Sequence, residues 1–142
     1  ISGVGWQNPQ LDPAIELQTV ATNAAGFTRM VTAAFRYFES VGGGHIAVVS
    51  SIAGTRGLGA APAYSATKRF QNTYIEALQQ QARMRRLPIR FTDVRPGFVR
   101  TDLLGQGHYP CQMSPRQVAC SIVGARWWLL TGGMLLLPFC GD

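Results

Sequence analysis

Two short apolar runs, 45–50 and 89–94, flank a stretch of helical periodicity at 63–86, and this order constrains the fold more than any other feature. His45-Ile46-Ala47-Val48-Val49-Ser50 is β-branched and bounded by turn residues, so it reads as a buried parallel strand. Phe70, Tyr74, Ala77 and Leu78 form one stripe of the following helix, and Pro88 stops that helix before the second run. A strand, a helix and a strand with a crossover of this length make a βαβ unit, so the expected fold is α/β with a doubly wound parallel sheet. Ligands bind such sheets beyond the carboxyl ends of the strands. Ser51 and Pro96-Gly97 fall at those ends.

Upstream, Asp12-Pro13 is a helix start, with Asp12 as N-cap and Pro13 in the first turn. Helical periodicity continues through Ile15, Leu17 and Val20 and resumes at Phe27, Met30, Val31, Ala34 and Phe38. Asn23 and Gly26 interrupt it, and Gly42-Gly43-Gly44 ends it. The Gly- and Ala-rich stretch 54–62 suits a loop lining a site. Ser114-Pro115 opens a further helix carrying Val118, Ile122 and Val123. The apolar stretch 127–139 is broken by Gly132-Gly133 and too short for a membrane span. A final strand, a lid and an interfacial anchor all remain open for it.

Tyr64 and Lys68 stand four residues apart, on one face of the predicted helix, with Ser51 thirteen residues upstream of the tyrosine. A nearby ammonium favours tyrosinate and is expected to lower the phenol below its ordinary value near ~10. A tyrosine so tuned gives or takes a proton near neutral pH, and a serine at a strand end can hold the oxygen concerned. This is machinery for interconverting a carbonyl and an alcohol. The plainer alternatives are a core tyrosine and a solvated lysine. Against the second, Lys68 is the single lysine among the thirteen basic residues.

These residues resemble the classical branch of the short-chain dehydrogenase/reductase family. Tyr64 and Lys68 match its Y-x-x-x-K, and 44–51 is similar to the strand ending in its active serine. Asn23 in Thr22-Asn23-Ala24-Ala25-Gly26 is similar to its helix asparagine, and 96–101 matches P-G-x-x-x-T. The resemblance implies a Rossmann-like fold and an NAD or NADP cofactor. It implies Tyr64 as acid/base, Lys68 as the group that tunes Tyr64 and binds the nicotinamide ribose, and Ser51 on the substrate oxygen. Asn23 would hold a water leading from Lys68 to solvent. Pro96, Gly97, Val99 and Thr101 would lie against the nicotinamide; Phe98, Leu103, Leu104, Tyr109 and Met113 fall where the family binds substrate, as an apolar pocket or equally as core. Asp102 would cap a short helix there. The stretch 130–137 resembles the family's last strand, T-G-x-x-L.

The family's T-G-x-x-x-G-x-G turn has no match; the nearest run is Gly3-Val4-Gly5-Trp6, and Ile1-Ser2-Gly3 is similar to the loop after its N-N-A-G motif. The expectation is that 1–142 is the catalytic C-terminal part of one Rossmann-like domain, with 114–142 a tail or final strand. Alone it would be inactive. The helices around 27–38 and 70–78 would join subunits as a homodimer or homotetramer. An epimerase or dehydratase of the extended branch is the alternative enzyme class, although the thirteen-residue step from Ser51 to Tyr64 favours the classical branch. A truncated piece acting only by association is the non-enzyme alternative.

Composition, with 46% hydrophobic and 14% charged residues, is that of a globular rather than a disordered chain. The net charge of +6 raises nucleic-acid binding, but Arg83, Arg85 and Arg86 cluster at a helix C-terminus, where cations complement the macrodipole. No aromatic residues interleave with them for stacking. Cys111, Cys120 and Cys140 lack metal or disulfide spacing and read as reduced thiols of a cytoplasmic protein; no metal is expected. Asp93 and His45 lie within strands, away from the expected catalytic end, and His108 lies in the loop beside the substrate. Membrane contact by 127–139 is the disfavoured alternative among the partners.

Overall fold

The computed structural model describes residues 3–101, 112–124 and 133–136. Asp12 caps the first helix, α1 (Pro13–Val20), by accepting the Ala14 amide at 2.9 Å. The chain then widens into a π-helical turn, Ala21–Gly26, and continues as α2 (Phe27–Ser40). The interruption expected at Asn23 and Gly26 is thus a bulge inside a continuous helical path. Gly42 and Gly43, at φ +86° and +140°, turn the chain into β1 (Gly44–Val49), in a conformation that side chains with a Cβ avoid.

A 3₁₀ turn, Ile52–Thr55, precedes the long helix α3 (Pro62–Met84). β2 (Ile89–Arg95), α4 (Pro115–Gly124) and β3 (Gly133–Leu136) complete the described elements. The three strands are parallel in the order β1-β2-β3. Gly44 faces Ile89 and Val49 faces Val94, while Thr92 faces Gly133 and Arg95 faces Leu136. Of the three readings open for 127–139, its described part is a strand in the sheet.

Strand alternation sorts the core into two layers. Ile46, Val48, Ile89 and Phe91 face α2 and α3, where Phe27, Val31, Phe35, Ile75, Leu78 and Ala82 bury them. Val49 and Val94 face the other way, against Val118 and Ile122 of α4. Helices therefore cover both faces of a parallel sheet, the doubly wound arrangement. Arg85, beyond the end of α3, pairs with Glu39 of α2 and lies 5.9 Å from the Phe35 ring centre.

Helical periodicity is a poorer guide on the outer side. Leu17 and Val20 of α1 are 68% and 43% exposed, Met30 of α2 is 60% exposed, and the buried residue of α1 is Thr19. Periodicity shows which face can be buried, whereas burial also needs an element packed on that face.

Candidate active site

On the α2/α3 side, the sheet changes from apolar to polar at the carboxyl ends of its strands. Ser50 follows Val48 on this face, and Asp93 follows Phe91. The register places Asp93 beside Val48, so the two polar groups meet. Ser50 Oγ donates to one oxygen of Asp93, and Arg95 Nε donates to the other at 2.6 Å. Arg95 also approaches Glu76 of α3 at 3.6 Å. Both serines border the cleft, but the Ser50 hydroxyl is taken up by Asp93, whereas Ser51 has no such acidic partner among the described residues.

Ser51 is fixed by the turn it begins. Its hydroxyl accepts the Ala53 amide at 3.1 Å, capping the 3₁₀ turn. Gly54 lets that turn lie directly on α3: a Cβ there would meet Asn72 Nδ2 at 2.5 Å and the Lys68 carbonyl at 2.9 Å. The next turn of α3 presents Tyr64 and Lys68, with the ammonium 5.6 Å from the Tyr64 ring centre.

Lys68 is 2% exposed, and Nζ donates to the Val49 carbonyl across 3.4 Å. This excludes the solvated-lysine reading. Burial lowers its pKa to about 8, while the nearby Asp93 carboxylate pulls it back up. Asp93, expected to lie away from the catalytic end, therefore acts electrically on the site. The Tyr64 spacing predicts a phenol below its ordinary value, and the structure corrects that direction. Burial raises Tyr64 and outweighs the hydrogen bond from Ser51, which lowers it. Desolvation of phenolate is the dominant effect here.

Asn23 is fully buried in the π-helical turn. Its Oδ1 accepts the Val4 amide at 2.8 Å, and its Nδ2 donates to the Val4 carbonyl at 2.7 Å and to Thr67 Oγ1 at 3.2 Å. Its backbone carbonyl accepts Gln71 Nε2 at 2.8 Å. Asn23 therefore clamps the segment at Val4 to α3 beside Lys68, a structural part that its motif position did not suggest. Gly3 lies so close to this clamp that a Cβ would fall 2.1 Å from Asn23 Oδ1.

These groups open into a cleft of about 940 Å³. Ser51, Tyr64 and Lys68 line one part, and Pro96, Gly97, Val99 and Thr101 line another. Gly3 and Gly5 also border it, a contribution that the Gly3-Val4-Gly5 run signalled only as a poor match to a glycine-rich turn. Phe98 lines it as well, whereas Met113 packs with Val94 and Val118 and bridges to Val99, so it belongs to the core. Asp102, Leu103, Leu104, His108, Tyr109, Cys111 and Cys140 lie outside the described residues; Cys120 is an exposed free thiol. His45 bonds Thr92 at 2.8 Å and is absent from the cleft lining. Among the described residues, no helix is long and apolar enough to cross a membrane, and no cluster of His, Cys, Asp or Glu suits a metal ion.

An uncharacterized oxidoreductase of Myxococcus xanthus is 35% identical over 91 residues, 64% of this chain and 35% of that protein. Sepiapterin reductase of Chlorobaculum tepidum is 31% identical over 110 residues, 75% of this chain and 44% of that protein. The chain thus spans less than half the length of these curated relatives. A short chain dehydrogenase of Burkholderia cenocepacia, solved with NADP, superposes with a TM-score of 0.81 at 23% identity, covering 96% of this chain and 56% of that one. That likeness establishes the Rossmann-type fold. The sequence model of the short chain dehydrogenase family matches residues 3–108, and the chain belongs to that family of oxidoreductases.

Proposed function

We propose that the protein containing this chain is an NAD- or NADP-dependent oxidoreductase that interconverts a carbonyl and an alcohol. The observation that carries this reading is the convergence of Ser51, Tyr64 and Lys68 on one cleft at the strand ends. In reduction Tyr64 gives its proton to the carbonyl oxygen, and in oxidation it takes the proton back. Burial keeps the phenol protonated at neutral pH, the form needed for reduction. Ser51 donates to the same oxygen and steadies the charge that grows on it.

The cleft also suits a nicotinamide cofactor, the group that supplies or accepts hydride. Lys68 uses one long bond to Val49 within the described chain. An ammonium has three donors, so Lys68 can also hold ribose hydroxyls. Gly97, Gly3 and Gly5 present backbone without side chains at the cleft wall, which permits close approach of a flat ring or a ribose. Pro96, Val99 and Thr101 would orient the cofactor, and the NADP held by the Burkholderia cenocepacia relative supports the same choice. Asn23 is a positioning residue that sets the Gly3–Gly5 segment against Lys68.

Subunit association through α2 and α3 belongs to the same reading. Met30 and Tyr37 are 60% and 61% exposed on α2, and Phe70 is 39% exposed on α3. Apolar side chains of this size on two neighbouring helices suit a contact with a second subunit.

The test is absorbance-monitored oxidation of NADH and NADPH with a panel of aldehydes and ketones. Tyr64→Phe is expected to lower kcat by about 10²–10⁴-fold, with cofactor affinity retained. Near-normal turnover in that variant would remove Tyr64 as the acid/base.

A further inference from the structure

The cleft carries one cation, Arg56, that the hydride-transfer chemistry does not use. Its lining includes two cations, Lys68 and Arg56, and no carboxylate among the described residues. Lys68 is buried and occupied as described above; Arg56 is exposed, and among the described residues it has no hydrogen bond or ion pair. Arg85 and Arg95, by contrast, each meet an acidic side chain.

Arg56 also leaves the backbone from a fixed point. It directly follows the 3₁₀ turn Ile52–Thr55, five residues beyond Ser51. That turn is held by the Ala53–Ser51 bond, by Thr55 Oγ1 donating to the Ile52 carbonyl at 2.7 Å, and by the contact of Gly54 with α3. The origin of Arg56 is therefore set relative to the carbonyl-binding hydroxyls. Arg56 lines a second depression of about 570 Å³, which Arg69 also borders, again with no acidic residue among the described residues. Apolar residues also line the cleft that holds Arg56 and the reacting groups, among them Ile52, Leu58, Phe98, Val118 and Ile122.

We propose that Arg56 is a specificity residue, and that the substrate is an amphipathic carbonyl or alcohol bearing a terminal oxyanion, a carboxylate or a phosphate, that pairs with its guanidinium. The planar fork of arginine matches both groups through two parallel N–H donors. The apolar body of the substrate lies against those apolar residues. The assignment rests on the oxidoreductase reading for its reacting end and on the charge pattern for the other.

Calorimetric titration of the cofactor-loaded protein with 4-oxodecanoate, its methyl ester and 4-oxodecyl phosphate separates the possibilities. The wild type is expected to bind at least one anionic probe about tenfold more tightly than the ester, a factor typical of one charge-assisted pair. The preferred anion identifies carboxylate or phosphate. Arg56→Gln is expected to remove that preference and leave ester binding unchanged, and Arg56→Lys to restore part of it. Equal binding of acid, phosphate and ester by the wild type would overturn the proposal. So would a preference that survives Arg56→Gln, or weakened NAD(P)H affinity in that variant with the probe preference intact. The oxidoreductase reading fails on a different result, undiminished turnover in Tyr64→Phe, so the two outcomes are distinguishable.

Discussion

Replacing Lys68 with methionine is expected to stabilise the protein while impairing its chemistry. Lys68 is 2% exposed, and its pKa falls from 10.5 to about 8 on burial. At about 1.4 kcal/mol per pH unit, holding this ammonium in the folded state costs about 3 kcal/mol. Below pH 8 both folded and unfolded chains carry the proton, so the cost is present in full. Between pH 8 and 10.5 the unfolded chain binds the proton more tightly, and stability rises with pH as the folded lysine becomes neutral. Tyr64 works oppositely above pH 10, because its folded phenol lies higher and the unfolded chain loses that proton first. Methionine keeps most of the volume and removes the charge. Urea unfolding followed by circular dichroism should find Lys68→Met about 2–3 kcal/mol more stable than wild type at pH 7, with the gap narrowing toward pH 10. Turnover in the same variant should fall, a trade of stability for function. A Met variant less stable at pH 7, or a gap equal at pH 7 and 10, would refute the reasoning.

Two further substitutions test how the site is held. Gly54→Ala places a Cβ 2.5 Å from Asn72 Nδ2 and 2.9 Å from the Lys68 backbone, so unfolding measurements should show a loss of about 1–3 kcal/mol. Gly57→Ala, with nothing within 4 Å of the added Cβ, is its control; equal losses in both would mean that the approach to α3 is not the cause. Asn23→Ala leaves the amide and carbonyl of Val4 without their side-chain partner and should cost about 2–4 kcal/mol. Hydrogen exchange at the Val4 amide should accelerate in that variant, and unchanged protection would show that Asn23 is not the clamp.

The parts of the fold legible in sequence are those written in local patterns. β1, α3 and β2 appear as alternating β-branched and helical periods, and the Asp12-Pro13 cap marks α1 directly. Tyr64 and Lys68 share a helix face because of their spacing, and no tertiary contact is needed to see it. Asp93 is different. Its nearness to Lys68 depends on register, on Val48 lying beside Asp93, which a single strand does not encode. The clamp between Asn23 and Val4 spans 19 residues of sequence and was invisible for the same reason. The direction of the Tyr64 shift depends on something else again. A neighbouring cation was legible, but the depth of burial, which decides the direction, is a property of the packed cleft.

The two properties of the strand ends are linked. Ile46, Val48, Ile89 and Phe91 bury one face against α2 and α3, and that packing carries the sheet into the region where Ser50 and Asp93 replace apolar residues. A buried carboxylate is costly without partners, and Asp93 has Ser50 and Arg95 on its two oxygens. The partnered carboxylate supports part of the charge on Lys68, which burial would otherwise push lower still. Lys68 is thereby held at about 8, close enough to neutrality to remain mostly protonated at pH 7 and yet able to exchange its proton. Ser50, whose hydroxyl is committed to Asp93, acts on Lys68 indirectly, through that carboxylate.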